Sequence, residues 1–246
     1  MAREVLQRDG VAGFSMERIA EEAGYSRTAV YHYFPAKEEV IMALAIETTE
    51  LRLQLYERVK SFDARPRERM VALGEVTAIL YPVHVVAEVV AYANAVRIKT
   101  SQARQQYLRS LDRRESAVAR EVILEALECG DLSLQLGIRP HELRYALDTF
   151  GRGVFSSIAT ATPLEELDIP DPRVILRKLG SLFLDGLQWR PLTTEWDYGR
   201  TMRRIYSEVF PPAFLFSHAL TSDQPPARTS SERVLITGER PEEIGG

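Results

Sequence analysis

The chain has 246 residues, 45 % of them apolar and 27 % charged, which makes a water-soluble globular protein the expectation. A formal charge of −4 and a pI near 5.7 exclude a protein that coats nucleic acid by bulk charge, but they leave room for a small local basic surface. The single cysteine, Cys129, excludes an internal disulfide framework and fits a reducing compartment.

The N-terminus, MAREVLQRDG, lacks the apolar core of a signal peptide. The most apolar run, Val83 to Val96, is interrupted by Glu88 and Asn94 and falls short of the ~20 residues that cross a bilayer. A cytoplasmic protein without a membrane partner is therefore expected.

Helical periodicity recurs along the chain and strand signals are scarce. Ser15 is placed to cap SMERIAEEA, where Met16, Ile19, Ala20 and Ala23 recur at helical spacing, and Gly24 ends it. Ser26 caps a second short helix, which Pro35 closes after Phe34. A long amphipathic helix follows from Lys37 to about Phe62, with Val40, Ile41, Leu44, Leu51, Leu55 and Val59 in register.

Pro66 and then Pro82 are expected to open two further helices, the second apolar nearly all round and so interior. Residues 101–128 form a highly charged helix that keeps a stripe of Tyr107, Leu111, Val118, Val122 and Leu127. Gly130 and Gly137 flank a loop, Pro140 starts another helix, and Pro172 to Gln188 repeats its style. A short helix is expected over 195–209, and the polar residues beyond it read as a largely disordered tail, 211–246.

Residues 15–34 read as a helix-turn-helix. Ile19, Ala20 and Ala23 face Val30 and Phe34, the small alanines let the two helices cross closely, and Gly24 permits a left-handed turn. Arg27, Thr28, Ala29, Tyr31 and His32 are left facing outward, a set suited to phosphates and base edges.

On these residues the chain resembles the TetR family of bacterial transcriptional regulators. The resemblance is carried by RDGVAGFSMERIAEEAGYSRTAVYHYFPAKEEVI, residues 8–41: Gly10, Ser15, Ile19-Ala20, Ala23-Gly24, Ser26, Tyr31, Tyr33-Phe34 and Lys37-Glu38 with Val40. It covers only about the first 45 residues; the rest fits by its all-helical layout.

The resemblance implies an all-α fold with a helix-turn-helix DNA-binding domain at 1–44, a larger effector-binding and dimerisation domain at 45–210, and the tail. It implies that Arg27 and Thr28 meet bases and that Tyr31 and His32 grip the phosphate backbone. Lys37 would meet a phosphate at the start of the next helix, and Ser15, first a cap, sits where its helix N-terminus approaches the backbone. The helix-turn-helix core would be Ile19, Ala23, Gly24, Val30 and Phe34.

The chain departs from the family pattern in three places. Thr28-Ala29 stands where glycine-threonine is frequent, which turns the hydroxyl by ~100° around the helix. Tyr25 replaces a small apolar residue. Only nine residues precede Gly10, so a mis-assigned start or a trimmed end is an expectation.

In residues 1–37, Arg3, Arg8, Arg18, Arg27 and Lys37 balance Glu4, Asp9, Glu17, Glu21 and Glu22. A module of zero net charge binds DNA weakly alone, so a homodimer reading a near-palindromic double-stranded operator is expected.

The resemblance further implies a four-helix bundle between two subunits, built from the last two long helices. Its candidates are Leu147, Phe150, Gly151, Val154, Phe155, Ile158, Leu179, Phe183 and Gly186. Glycines inside these helices cost ~1 kcal/mol each relative to alanine, and close helix approach is a reason to keep them. An intrachain core accounts for the same stripes.

Glu88 and Tyr92 share a helix face in the most apolar segment, and buried polar groups need partners. A pocket for a largely apolar small effector with a polar end would draw on Tyr81, His84, Glu88, Tyr92, Asn94, Tyr107 and Phe150. Partners inside the domain for Glu88 and Arg97 explain the same residues equally well.

No catalytic or cofactor motif is legible. His32, His84, His141 and His218 have no metal-ligand spacing, and neither a nucleophile elbow nor a phosphate-binding glycine loop occurs. No enzyme, metal or cofactor is expected. The reading is a repressor released by an effector. An activator or ligand-independent regulator of the same fold is the alternative, and a helical metabolite-binding or scaffolding protein is the alternative from a different class.

Overall fold

The computed structural model describes residues 1–91, 96, 98–160 and 172–211, with side chains at all of these but 7, 11, 81–91, 152, 155–160 and 172. Among the described residues it is all-helical, with no strand. The helices are α1 (Ala2–Gly13), α2 (Met16–Ala23), α3 (Arg27–Tyr33), α4 (Lys37–Lys60), α5 (Pro66–Ala91), α6 (Gln102–Glu128), α7 (Pro140–Thr160), α8 (Pro172–Gly186) and α9 (Tyr198–Arg204), the last running into a π-helical turn at Ile205–Val209. The expected tail beyond residue 211 and the loop between α7 and α8 lie outside the described residues.

Two compact units emerge. One comprises Met1–Thr49, Pro82–Ser110 and Ser222–Gly246, the last outside the described residues; the other comprises Glu50–Tyr81 and Leu111–Thr221. The first compact unit thus joins the N-terminal residues to Pro82–Ser110. Val96 is buried in the same cluster as Val5, Phe14, Ile19, Val30, Phe34 and Leu44, so a distant stretch of chain helps complete the N-terminal core.

Within the first unit, α1 breaks at Gly10, whose φ of 61° and ψ of −175° are open to glycine and costly for other residues. The first half of α4 is not amphipathic: every residue from Val40 to Ile46 is buried. Thr48 and Thr49, also buried, donate their hydroxyls to Leu44 O and Ala45 O at 3.0 and 2.8 Å, so neither hydroxyl is stranded.

Helix α5 runs unbroken from Pro66 to Ala91. Pro82 therefore lies inside a helix instead of opening one, which corrects the sequence expectation. An interior proline removes one backbone bond at a cost of ~3 kcal/mol. A helix of 26 residues keeps uninterrupted hydrogen-bonded turns on both sides of that gap.

The second unit packs Leu55, Val59, Val76, Val118, Val122, Trp189, Ile205 and Phe210 into its core. Ion pairs stitch the same interior. Arg52 makes a two-pronged contact with Glu115 at 2.8 and 3.1 Å, and Arg177 grips Glu75 through Nε and Nη2, both at 2.7 Å. The Tyr206 hydroxyl donates to the same Glu75 at 2.9 Å. Burial, then the neighbouring Glu75 charge, push the Tyr206 hydroxyl up to about 12.

Candidate nucleic-acid interface

Local chemistry sets the two short helices. The Ser15 hydroxyl accepts from the Arg18 N–H at 3.3 Å and starts α2, and the Ser26 hydroxyl accepts from the Ala29 N–H at 3.2 Å and starts α3. Between them Gly24 adopts φ 68°, ψ 27°. Its N–H bonds Glu21 O at 3.2 Å while the Tyr25 N–H bonds Ala20 O at 2.9 Å. That pair of bonds is a Schellman closure, which satisfies the last carbonyls of α2 and redirects the chain within two residues.

Helix α3 then has two faces. Val30 and, just past its end, Phe34 are both 0 % exposed and belong to the core that also holds Ile19 and Ala23. Arg27, Thr28, Tyr31 and His32 are exposed, and Tyr33 is half-buried against the core. The His32 and Tyr33 rings meet edge to face at 5.3 Å. Ser15 and Lys37 are half-buried, Ser15 just before the first residue of α2 and Lys37 as the first residue of α4.

The basic residues of this module mostly face carboxylates of their own chain. Arg8 reaches Asp9 through Nε and Nη2 at 2.9 and 2.8 Å and continues to Glu22, while Arg18 also contacts Asp9. The Arg8 hydrogen bond, followed by that of Arg18, holds the Asp9 carboxyl well below the usual carboxylate range. Arg3 pairs with Glu47 at 3.0 Å, and Arg27 lies 3.9 Å from Glu17. Lys37 makes no ion pair among the described residues. Glu38 and Glu39, which sequence reasoning passed over, are buried beside it and paired with Lys99 and Arg104.

Other expected positions are brought together only in part. Phe150 and Phe183 stack with centroids 5.8 Å apart across α7 and α8, and Leu147 and Phe183 pack against the chain's own second core. Leu179 is 42 % exposed and its neighbour Leu182 66 %. A Cβ added at Gly151 or Gly186 would meet nothing within 4 Å, so no contact inside the described chain calls for glycine there. Phe155 and Ile158 have side chains outside the described residues.

Of the effector candidates, the side chains of Tyr81, His84 and Glu88 and all of Tyr92 and Asn94 lie outside the described residues. Tyr107 is half-buried in the first unit. Phe150 lines an open apolar depression with Val154, Tyr145, Ala146, Thr149 and Gly153, all on α7. Among the described residues no cluster of three or more His, Cys, Asp or Glu could hold a metal ion, and no helix is long and apolar enough to cross a membrane.

The fold and this module define an all-helical architecture with an N-terminal helix-turn-helix, and comparison with known proteins agrees. Residues 1–44 match the family described as bacterial regulatory proteins, tetR family, so the chain carries the N-terminal module of that family. A tetR-family bacterial regulatory protein from Rhodococcus RHA1 superposes with TM-score 0.58 at 17 % identity, over 76 % of this chain and 92 % of its own. The TetR family transcriptional regulator PfmR from Thermus thermophilus gives 0.57 at 16 % identity, over 76 % and 96 %. A TetR/AcrR-family regulator from Thermobifida fusca YX-ER1 gives 0.50 at 20 % identity, over 72 % and 92 %. At these identities the likeness establishes a TetR-like fold. No curated protein matches the sequence.

Proposed function

We propose that this protein is a homodimeric TetR-like transcriptional repressor that binds a near-palindromic operator and releases it when a small, largely apolar effector binds. The observation that carries the reading is the division of α3. Val30 and Phe34 anchor it completely, while Arg27, Thr28, Tyr31 and His32 project together from the opposite side. A short, rigidly held helix with guanidinium, hydroxyl, phenol and imidazole on its free face suits major-groove entry.

In this reading Arg27 and Thr28 meet base edges. Tyr31, His32 and Lys37 bind phosphates, with the α4 N–H groups beside Lys37 adding to the grip. Ser15 places the α2 N-terminus near a third stretch of backbone. Dimerisation through α7 and α8 supplies the second half-site and would cover the exposed Leu179 and Leu182. Gly151 and Gly186, open among the described residues, would there admit close approach by the partner. The effector acts only through unequal affinity for the DNA-competent and DNA-incompetent dimers.

The test is a gel shift with the intergenic DNA beside the protein's own gene. Retardation at low salt, with a specific complex that survives moderate salt, supports the proposal. Absence of retardation at low salt rejects it.

A further inference from the structure

The first turn of α4 carries two adjacent acidic residues, Glu38 and Glu39, 9 % and 7 % exposed. Acidic side chains in a first turn stabilise a helix through its dipole without any partner. These two have partners from some sixty residues away in sequence. The Lys99 Nζ donates to Glu38 Oε1 at 2.9 Å, and Arg104 Nε lies 3.1 Å from Glu39 Oε2. The Ser101 N–H donates to the other Glu39 oxygen. Glu39 Oε2 itself accepts no aligned hydrogen bond, so the Arg104 contact is chiefly a matter of charge. Burial pushes the Glu38 carboxyl up, but the Lys99 hydrogen bond and smaller contributions pull it further the other way, to a net value below the usual range.

Arg104 also stands with its guanidinium carbon 5.1 Å above the Phe34 ring, the anchor of α3. The short stretch from Lys99 to Arg104, which follows buried Val96, thus neutralises both carboxylates and leans on the recognition helix at once. Lys37, one residue before Glu38, is where the proposed phosphate sits. Two uncompensated carboxylates there would oppose a phosphate through the same field that Lys37 and the α4 N-terminus provide to attract it.

We infer that Lys99 and Arg104 are charge masks: they neutralise Glu38 and Glu39 and so keep the N-terminal turn of α4 acceptable to a DNA phosphate. This rests on the DNA-binding reading above and assigns the residues that set the electrostatics of that site. The masks are positioning residues, not contacts to the nucleic acid.

The experiment titrates the full chain and its variants against a labelled random-sequence DNA duplex over a salt series, followed by fluorescence anisotropy. Lys99→Gln with Arg104→Gln should weaken low-salt binding about threefold to tenfold. Glu38→Gln with Glu39→Gln should tighten it by a similar factor, since two cations are then unopposed. The fourfold variant should return to near the wild-type affinity. Weakening by the carboxylate pair, or no change from it, overturns the inference in favour of a purely structural clamp. A fourfold variant as weak as the cation pair also overturns it, because Lys99 and Arg104 would then touch phosphate directly. If the cation pair does not fold, the sign of the carboxylate-pair effect alone decides. Wild-type protein that binds no duplex at any salt rejects the DNA reading and this inference with it, whereas a wrong order among the variants rejects only the masks.

Discussion

Arg67 donates through Nη2 to Asp185 Oδ1 at 2.7 Å, and the arginine side chain is only 1 % exposed. Its Nη1 donates to Trp189 O, and the guanidinium lies 5.1 Å over the Tyr198 ring. One side chain of α5 thereby fixes the end of α8, the turn after it and the start of α9. Asp185→Asn should lower stability by on the order of 2 kcal/mol, less than a fully buried pair would lose, because Asp185 keeps 25 % exposure. Chemical denaturation, read as a shifted midpoint at unchanged slope, checks it.

The same pair makes an acid-side prediction. Burial raises the Asp185 carboxyl, but bonds from Thr193 and Arg67 lower it to a net depressed value. A carboxyl depressed in the folded state contributes stability that is complete above its unfolded pKa, ~3.9, and is lost as pH falls through the folded value. The gap in melting temperature between wild type and Asp185→Asn should therefore be full above about pH 4 and shrink as pH falls below it. A gap that widens on acidification contradicts the assignment.

Phe34, 0 % exposed, holds α3 in place. Phe34→Ala should cost ~3–5 kcal/mol and abolish binding to every duplex through local unfolding, seen as lost amide protection in residues 15–34. Tyr31→Phe and His32→Ala should instead leave that protection intact and weaken specific and random DNA by the same factor. Unequal factors would move those two residues from phosphate to base contacts.

Gly24→Ala should destabilise by ~1 kcal/mol through backbone strain alone. Its φ of 68° disfavours a side chain, while a Cβ there would meet nothing within 4 Å. Thermal melting measures the loss; a neutral result would mean that the turn relaxes into a different closure.

Leu182, 66 % exposed, tests the proposed subunit contact. Leu182→Glu should leave helicity and melting of the isolated subunit nearly unchanged while shifting the mass by light scattering from dimer to monomer. A dimer that persists at micromolar concentration would place the contact elsewhere.

What the sequence made legible was local. Ser15, Gly24 and Ser26 bond within five residues of themselves, so the two-helix module could be read from spacing and cap chemistry. What it hid was either tertiary or a conflict of local rules. Pro82 reads as a helix start yet lies inside α5, since a proline marks where a bond is missing and not whether the helix tolerates the gap. Glu38, Glu39 and Arg67 carry no sequence signal that names their partners. Only the folded chain brings Lys99, Arg104 and Asp185 to them. The stripe on α7 and α8 fits an inner or an outer surface equally well, and Leu147 and Leu182 turn out to lie on different sides of that distinction.

The Arg27–Glu17 approach at 3.9 Å has a kinetic side. Both partners are well exposed, so the pair adds little to stability. In the DNA-binding reading proposed above, Arg27 would meet DNA by exchange, surrendering a carboxylate of its own chain for a base edge. A random site offers little beyond that exchange, so the protein should leave wrong DNA quickly and scan long stretches in brief visits. A correct half-site adds the geometry that makes the trade worthwhile. On that reading residence time, more than encounter rate, would separate an operator from other DNA.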